Sequence, residues 1–192
     1  METYTRPKKL VKNPHYQKQK ERSVAKLNNS MIDKPIINIV NSFNKLSYCF
    51  TLQCCFGHFI YEGQKNLHNF KPLNAVSLKT NNIKYKIAFI AFCVQNNKLG
   101  KIFLKSVARV EKIDPKSVQF CCAEWFWKNQ VNSFVLQVEP EEFKHQDTAL
   151  LNIEEALHIE RIRNEFFVSL EKIIKRYKTK HGVDSITSKY YE

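Results

Sequence analysis

At 192 residues, with 43% hydrophobic residues including 14 Phe and 8 Tyr, the chain is long and apolar enough to bury a sizeable core, which excludes a disordered protein. With only 4 Gly and 6 Pro it is not a low-complexity chain either. The net charge of +13 is carried mainly at the ends: residues 1–30 hold eight Lys or Arg against two acids, residues 171–192 hold six against three, and the middle is near balance. Basic ends of this kind suit contact with phosphate, although any single Lys is as well explained by solubility.

These shifts predict a basic N-terminal extension over 1–30, one domain over 31–180 and a C-terminal tail over 181–192. Met1 to Val11 contains Arg6, Lys8 and Lys9 but no apolar run, so no signal peptide is expected. No window approaches the roughly 18 apolar residues of a membrane span. A cytoplasmic protein with reduced thiols and no membrane partner is the expectation, because adjacent cysteines such as Cys54-Cys55 and Cys121-Cys122 point to opposite faces of a strand and make an awkward disulfide framework.

In chain order, Lys12 to Asn28 reads as an exposed basic helix with few apolar anchors. Pro35 follows Asp33 at a plausible first helical position, and Ile36, Ile37, Ile39, Val40 and Phe43 give a short helix with an apolar stripe. Leu46 to Cys55 alternates as a strand that Gly57 breaks. His58 to Leu78 is polar and reads as a long loop, a length that is uncommon unless functional. Tyr85 to Val94 is a nearly continuous apolar run, the signature of a buried central strand. Leu99 to Lys112 reads as a helix stopped by Asp114-Pro115. Ser117 to Ala123 and Ser133 to Val138 read as antiparallel strands, and Thr148 to about Lys178 as a long amphipathic helix. The fold class is therefore α+β, a mixed or antiparallel sheet covered by helices, with a long C-terminal helix and a basic N-terminal helical extension.

Two stretches are chemically dense. In Thr51-Leu52-Gln53-Cys54-Cys55-Phe56-Gly57-His58, Cys55-x-x-His58 has the spacing of half a zinc site, which Cys121 or Cys122 would complete if the segments face each other. The second pair is adjacent and irregularly spaced, so no metal is expected. Cys55 is alternatively a nucleophile with His58 as its base, or a thiol buried at a strand end; no orienting third residue is identifiable by position. In Gln119 to Trp127, Glu124 sits between apolar residues and Trp125-Phe126-Trp127, where it is either a desolvated acid or base or a buried acceptor. Trp125 and Trp127 serve as cleft wall, as core, or as a platform for an unpaired base. The candidate site is a cleft shared by the two stretches, with Cys55, His58 and Glu124 as catalytic groups. Thr51, Gln53, Gly57, Glu62, Gln64, His68, Asn69, Trp125, Trp127 and Gln130 are its ligand-binding residues.

The segment Ile39 to His58 resembles the N-terminal signature of the tRNA wybutosine-synthesising protein 3 family, in which a helix and an Asn-containing turn lead to an aromatic, a Thr and Ser-Ser-Cys-x-Gly-Arg. Thr51, Cys55 and Gly57 fit that pattern, while Gln53 and Cys54 replace the serines and His58 replaces the arginine. The resemblance covers about twenty residues. It implies an α+β fold, S-adenosylmethionine as cofactor, and methylation of a tricyclic guanine derivative in tRNA. The expected function is action on RNA or a nucleotide-like ligand, with the basic termini holding RNA. The alternatives are a binding or regulatory module without catalysis and a zinc-dependent hydrolase.

Overall fold

Side-chain alternation in three central strands decides the architecture. The computed structural model describes residues 4–64, 70–75, 82–140 and 146–181. Its strands are β1 Tyr4–Thr5, β2 Cys49–Cys55, β3 His58–Ile60, β4 Ile83–Lys86, β5 Ala88–Val94, β6 Val118–Ala123, β7 Ser133–Val138 and β8 Thr148–Leu151. Its helices are α1 Tyr16–Ala25, α2 Ile37–Lys45, α3 Lys98–Ala108, α4 Glu124–Asn129 and α5 Ile153–His181. Among the described residues the strands form two antiparallel sheets, ordered β1-β6-β7-β5-β2 and β3-β4-β8. The expected α+β class, with its antiparallel sheet and long C-terminal helix, is what the chain adopts.

β5 and β7 are central and covered on both faces, so β5 reads as a continuous apolar run and β7 as an apolar run that also buries Ser133 and Gln137. Ile90, Phe92, Phe134, Leu136 and Cys122 point into the main core with residues of α2, α3 and α5. Their neighbours Ala91, Val135 and Cys121 point the other way, into a smaller apolar patch with Phe126 of α4. Cys121 and Cys122 thus fall on opposite faces, as a period of two requires.

Helix α1 is held more firmly than its composition implied. Tyr16 is buried, its ring lies 5.5 Å from that of Phe50, and its hydroxyl donates to Ser47 O at 3.2 Å. The Lys20 ammonium donates to the carbonyls of Leu46 and Cys49, where the chain enters β2. The preceding segment joins the sheet through β1, and Asn132 clasps Val11 by accepting from its N–H at 2.8 Å and donating to its carbonyl at 2.9 Å.

Three element readings change. The run Tyr85–Val94 is divided at Ile87, whose N–H bonds to Asp147 O, so β4 and β5 enter different sheets. In β4, Lys84 and Lys86 are exposed while Ile83 and Tyr85 are buried, the alternation of a half-exposed strand. The last helix begins at Ile153 because Thr148–Leu151 pairs with β4, and Asn152 and Glu155 exchange side-chain to backbone hydrogen bonds of 2.9 and 2.8 Å, a reciprocal cap. Finally, His58–Ile60 opens the supposed loop as a strand paired with β4. No helix among the described residues is long and apolar enough to cross a membrane.

Candidate functional site

The turn from β2 into β3 builds the site. Gly57 has φ +89°, a left-handed conformation that reverses the chain and brings Cys55 and His58 together. The Gly57 N–H points at Cys55 Sγ, 3.4 Å away. Its carbonyl accepts from Arg163 Nη1 of α5 at 3.0 Å. That guanidinium is buried, 4.2 Å from the ring centre of Phe56, and ion-paired at 3.5 Å with Glu160.

The third member of the cluster is Asp33. It precedes the short 3₁₀ turn Lys34–Ile36, but its carboxylate does not cap that turn. Instead Oδ2 accepts from the Phe56 N–H at 2.8 Å and lies 3.0 Å from His58 Nε2. The His58 side chain is hydrogen-bonded to both Asp33 and Cys55, and these bonds, Asp33 first, raise its pKa from 6.5 to about 9 against the opposing effect of burial. The arrangement is a thiol, an imidazolium and a carboxylate in series. Burial pushes the thiols of Cys54 and Cys93 up to about 12 and those of Cys49 and Cys122 upward as well, so these four stay protonated.

Because the folded pKa of His58 lies above its ordinary value, the pair stabilises the fold fully below pH 6.5, and that contribution is lost as pH rises through about 9. In chelator-treated protein, chemical denaturation across this window should show a loss on the order of 2 kcal/mol that Asp33→Asn removes. A flat profile in the unsubstituted protein would contradict the pairing.

The cluster opens into a cleft of about 700 Å³. One wall is the segment from Ser23 to Asp33, including Lys26 and the exposed Met31, and the other is β2 with Thr51, Gln53 and Cys54. Lys86 and Phe89 also border it. Thr51 is buried and locked by Asn44, which accepts from its N–H and donates to its hydroxyl, both at 2.9 Å. Its carbonyl accepts from Ser23 Oγ at 2.9 Å, which ties α1 to the cleft wall.

The second dense stretch lies elsewhere. β7 and β5 stand between β6 and β2, so neither Cys121 nor Cys122 reaches Cys55 and His58. Gln53 and Phe126 do border a smaller hollow of about 350 Å³, but neither cysteine doublet lines it. Glu124 is one-third exposed and paired with Lys8 at 2.6 Å. Trp125 is half exposed, while Trp127 packs edge-on to Phe134 with Lys8 5.3 Å above its ring. Gln130 donates to Gln19 at 2.8 Å and so fastens α1. Glu62 is exposed and Gln64 accepts from Tyr61 N–H in the turn after β3, whereas His68 and Asn69 lie outside the described residues. A partly exposed surface pair such as Lys8–Glu124 contributes little, so Glu124→Gln should change stability by less than about 1 kcal/mol in denaturant titrations. A larger loss would show that Glu124 does more than pair with Lys8.

Asp33 and Arg163 are the site residues that sequence reasoning missed. Asp33 before Pro35 looks like an ordinary helix start. Arg163 left a signal: it is a charge on the apolar stripe between Ile162 and Phe166.

No family model matches the chain, and no curated protein matches it. Among solved structures, the PH1069 protein from Pyrococcus horikoshii is similar at 14% identity over 88% of this chain and 97% of its own, with a TM-score of 0.45. A second structure of that protein, from Pyrococcus horikoshii OT3, gives 10% identity over 87% and 95% with a TM-score of 0.46. A hypothetical protein from Aeropyrum pernix gives 12% identity over 74% and 98% with a TM-score of 0.39.

Proposed function

We propose that the chain acts on RNA or a nucleotide-like ligand bound in the cleft headed by Asp33, Cys55 and His58, with S-adenosylmethionine-dependent methyl transfer as the reaction. The observation that carries this reading is that Thr51 and Cys55, two of the three residues on which the family resemblance rests, line one cleft, while the third, Gly57, forms the turn behind its head with its N–H on Cys55 Sγ. Its volume of about 700 Å³ falls in the range of small-molecule sites. His58 stands where that family carries arginine. Held protonated at neutral pH by Asp33, it keeps a positive charge at that position rather than serving as a base. Lys26 and Lys86 on the rim supply further phosphate contacts, extended by the basic surface of α1.

Titration calorimetry with S-adenosylmethionine tests the reaction class. A saturable heat that weakens at least tenfold in His58→Ala is expected, and no heat at saturating concentration removes methyl transfer from the account. Binding of tRNA should weaken steeply as salt rises, because each phosphate contact releases a counterion. Affinity that ignores ionic strength rules out the phosphate contacts.

A further inference from the structure

The structure assigns to Asp33, Cys55 and His58 a binding site for a divalent transition metal of the zinc type, with one coordination position open to the cleft. One donor atom from each residue lies within 4.8 Å of the other two. With metal–ligand bonds of about 2.0–2.3 Å, the edges of a tetrahedral site span roughly 3.3–3.8 Å, so a contraction of the order of 1 Å closes the cluster around an ion. The donor set is sulfur, nitrogen and oxygen. Thiolate and imidazole favour zinc over magnesium or calcium, which prefer oxygen alone.

Supporting contacts are already in place. Asp33 Oδ2 is oriented by the Phe56 N–H at 2.8 Å, the Gly57 N–H faces Cys55 Sγ at 3.4 Å, and Arg163 grips the Gly57 carbonyl from behind. Such outer contacts fix ligands in the orientation a metal needs. The Cys55-x-x-His58 half-site is thus completed from the segment before α2, and β6 takes no part. Asp33, Cys55 and His58 all border the cleft, and three protein ligands beside a cleft is the pattern of zinc sites that act on a bound molecule. The ion replaces the imidazolium proton as the positive charge at the head of the cleft, so the assignment stands whether or not the ligand is S-adenosylmethionine.

The test is titration of the folded, chelator-treated full chain with Co²⁺, followed by absorption, with Zn²⁺ as competitor and elemental analysis of the untreated protein. One cobalt per chain, with a thiolate-to-cobalt band in the near ultraviolet and the visible bands of a tetrahedral ion, is the expected result. Cys55→Ser should abolish the thiolate band, Asp33→Asn and His58→Ala should each weaken binding at least tenfold, and Cys121→Ser should change nothing. Absence of the thiolate band in folded unsubstituted protein, which needs no variant to survive, overturns the assignment. So does a band that persists in Cys55→Ser.

Discussion

Replacing Gly57 with alanine should lower the unfolding free energy by about 3 kcal/mol or more, the sum of backbone strain and overpacking that each cost roughly 1–3 kcal/mol. The new Cβ would stand 2.8 Å from Ala88 Cβ and 3.0 Å from the Tyr85 ring and hydroxyl. Tyr85 has no slack to give. It is fully buried, stacks on Phe59 at 4.8 Å, donates its hydroxyl to Val138 O at 3.0 Å and accepts from Ala88 N–H at 3.0 Å. Relief must come from the β2–β3 turn, which pulls Cys55 and His58 apart, so ligand and metal binding should fall with stability. Gly63 is the control, since its φ is also positive at +79° but nothing lies within 4 Å of an added Cβ. Gly63→Ala should therefore cost only the strain, about 1 kcal/mol. Denaturant midpoints of the two variants decide the matter, and equal losses would contradict the crowding at Gly57.

The second large effect is expected at Arg163. Methionine fills the apolar space between Phe56 and Phe59, whose ring centres lie 4.2 and 5.0 Å from the guanidinium carbon, so Arg163→Met isolates the polar loss. The Gly57 carbonyl loses its 3.0 Å donor, and the buried Glu160 loses its ion pair while still accepting from Leu73 N–H at 3.1 Å. Removing one partner of a buried pair costs about 3–5 kcal/mol, much of it the stranded charge. Adding Glu160→Gln to Arg163→Met should recover part of that loss, a coupling that a double-mutant cycle reads directly. Simple additivity would show that the two side chains act separately.

Much of the scaffold was legible because burial leaves a mark on sequence. Ala88–Val94 is apolar throughout and Ser133–Val138 is so apart from the buried Ser133 and Gln137, since both faces are covered, and the stripe through Ile159, Ile162, Phe166 and Leu170 announces α5. Half of the site was legible too, because Cys55, Gly57 and His58 are neighbours in one turn. Asp33 was not: it reaches His58 through the packing of the segment before α2 against β2, a contact with no local signature. Glu124 misled for the complementary reason. Its surroundings in sequence are apolar, but strand order cannot be read from periodicity, and β6 pairs with β7 and β1 rather than β2. The division of Tyr85–Val94 at Ile87 was hidden because Ile87 is itself apolar and buried, and only the exposure of Lys84 and Lys86 marks the change of sheet.

The central claim is that function resides at the head of the cleft, where Asp33, Cys55 and His58 meet. Hydrogen–deuterium exchange with and without S-adenosylmethionine measures this most directly, since it reports on every segment at once. Slower exchange in Lys26–Asp33 and Thr51–His58, with Glu124–Gln130 unchanged, is the predicted result. Protection centred on Glu124–Gln130, with the β2–β3 turn unaffected, would contradict it.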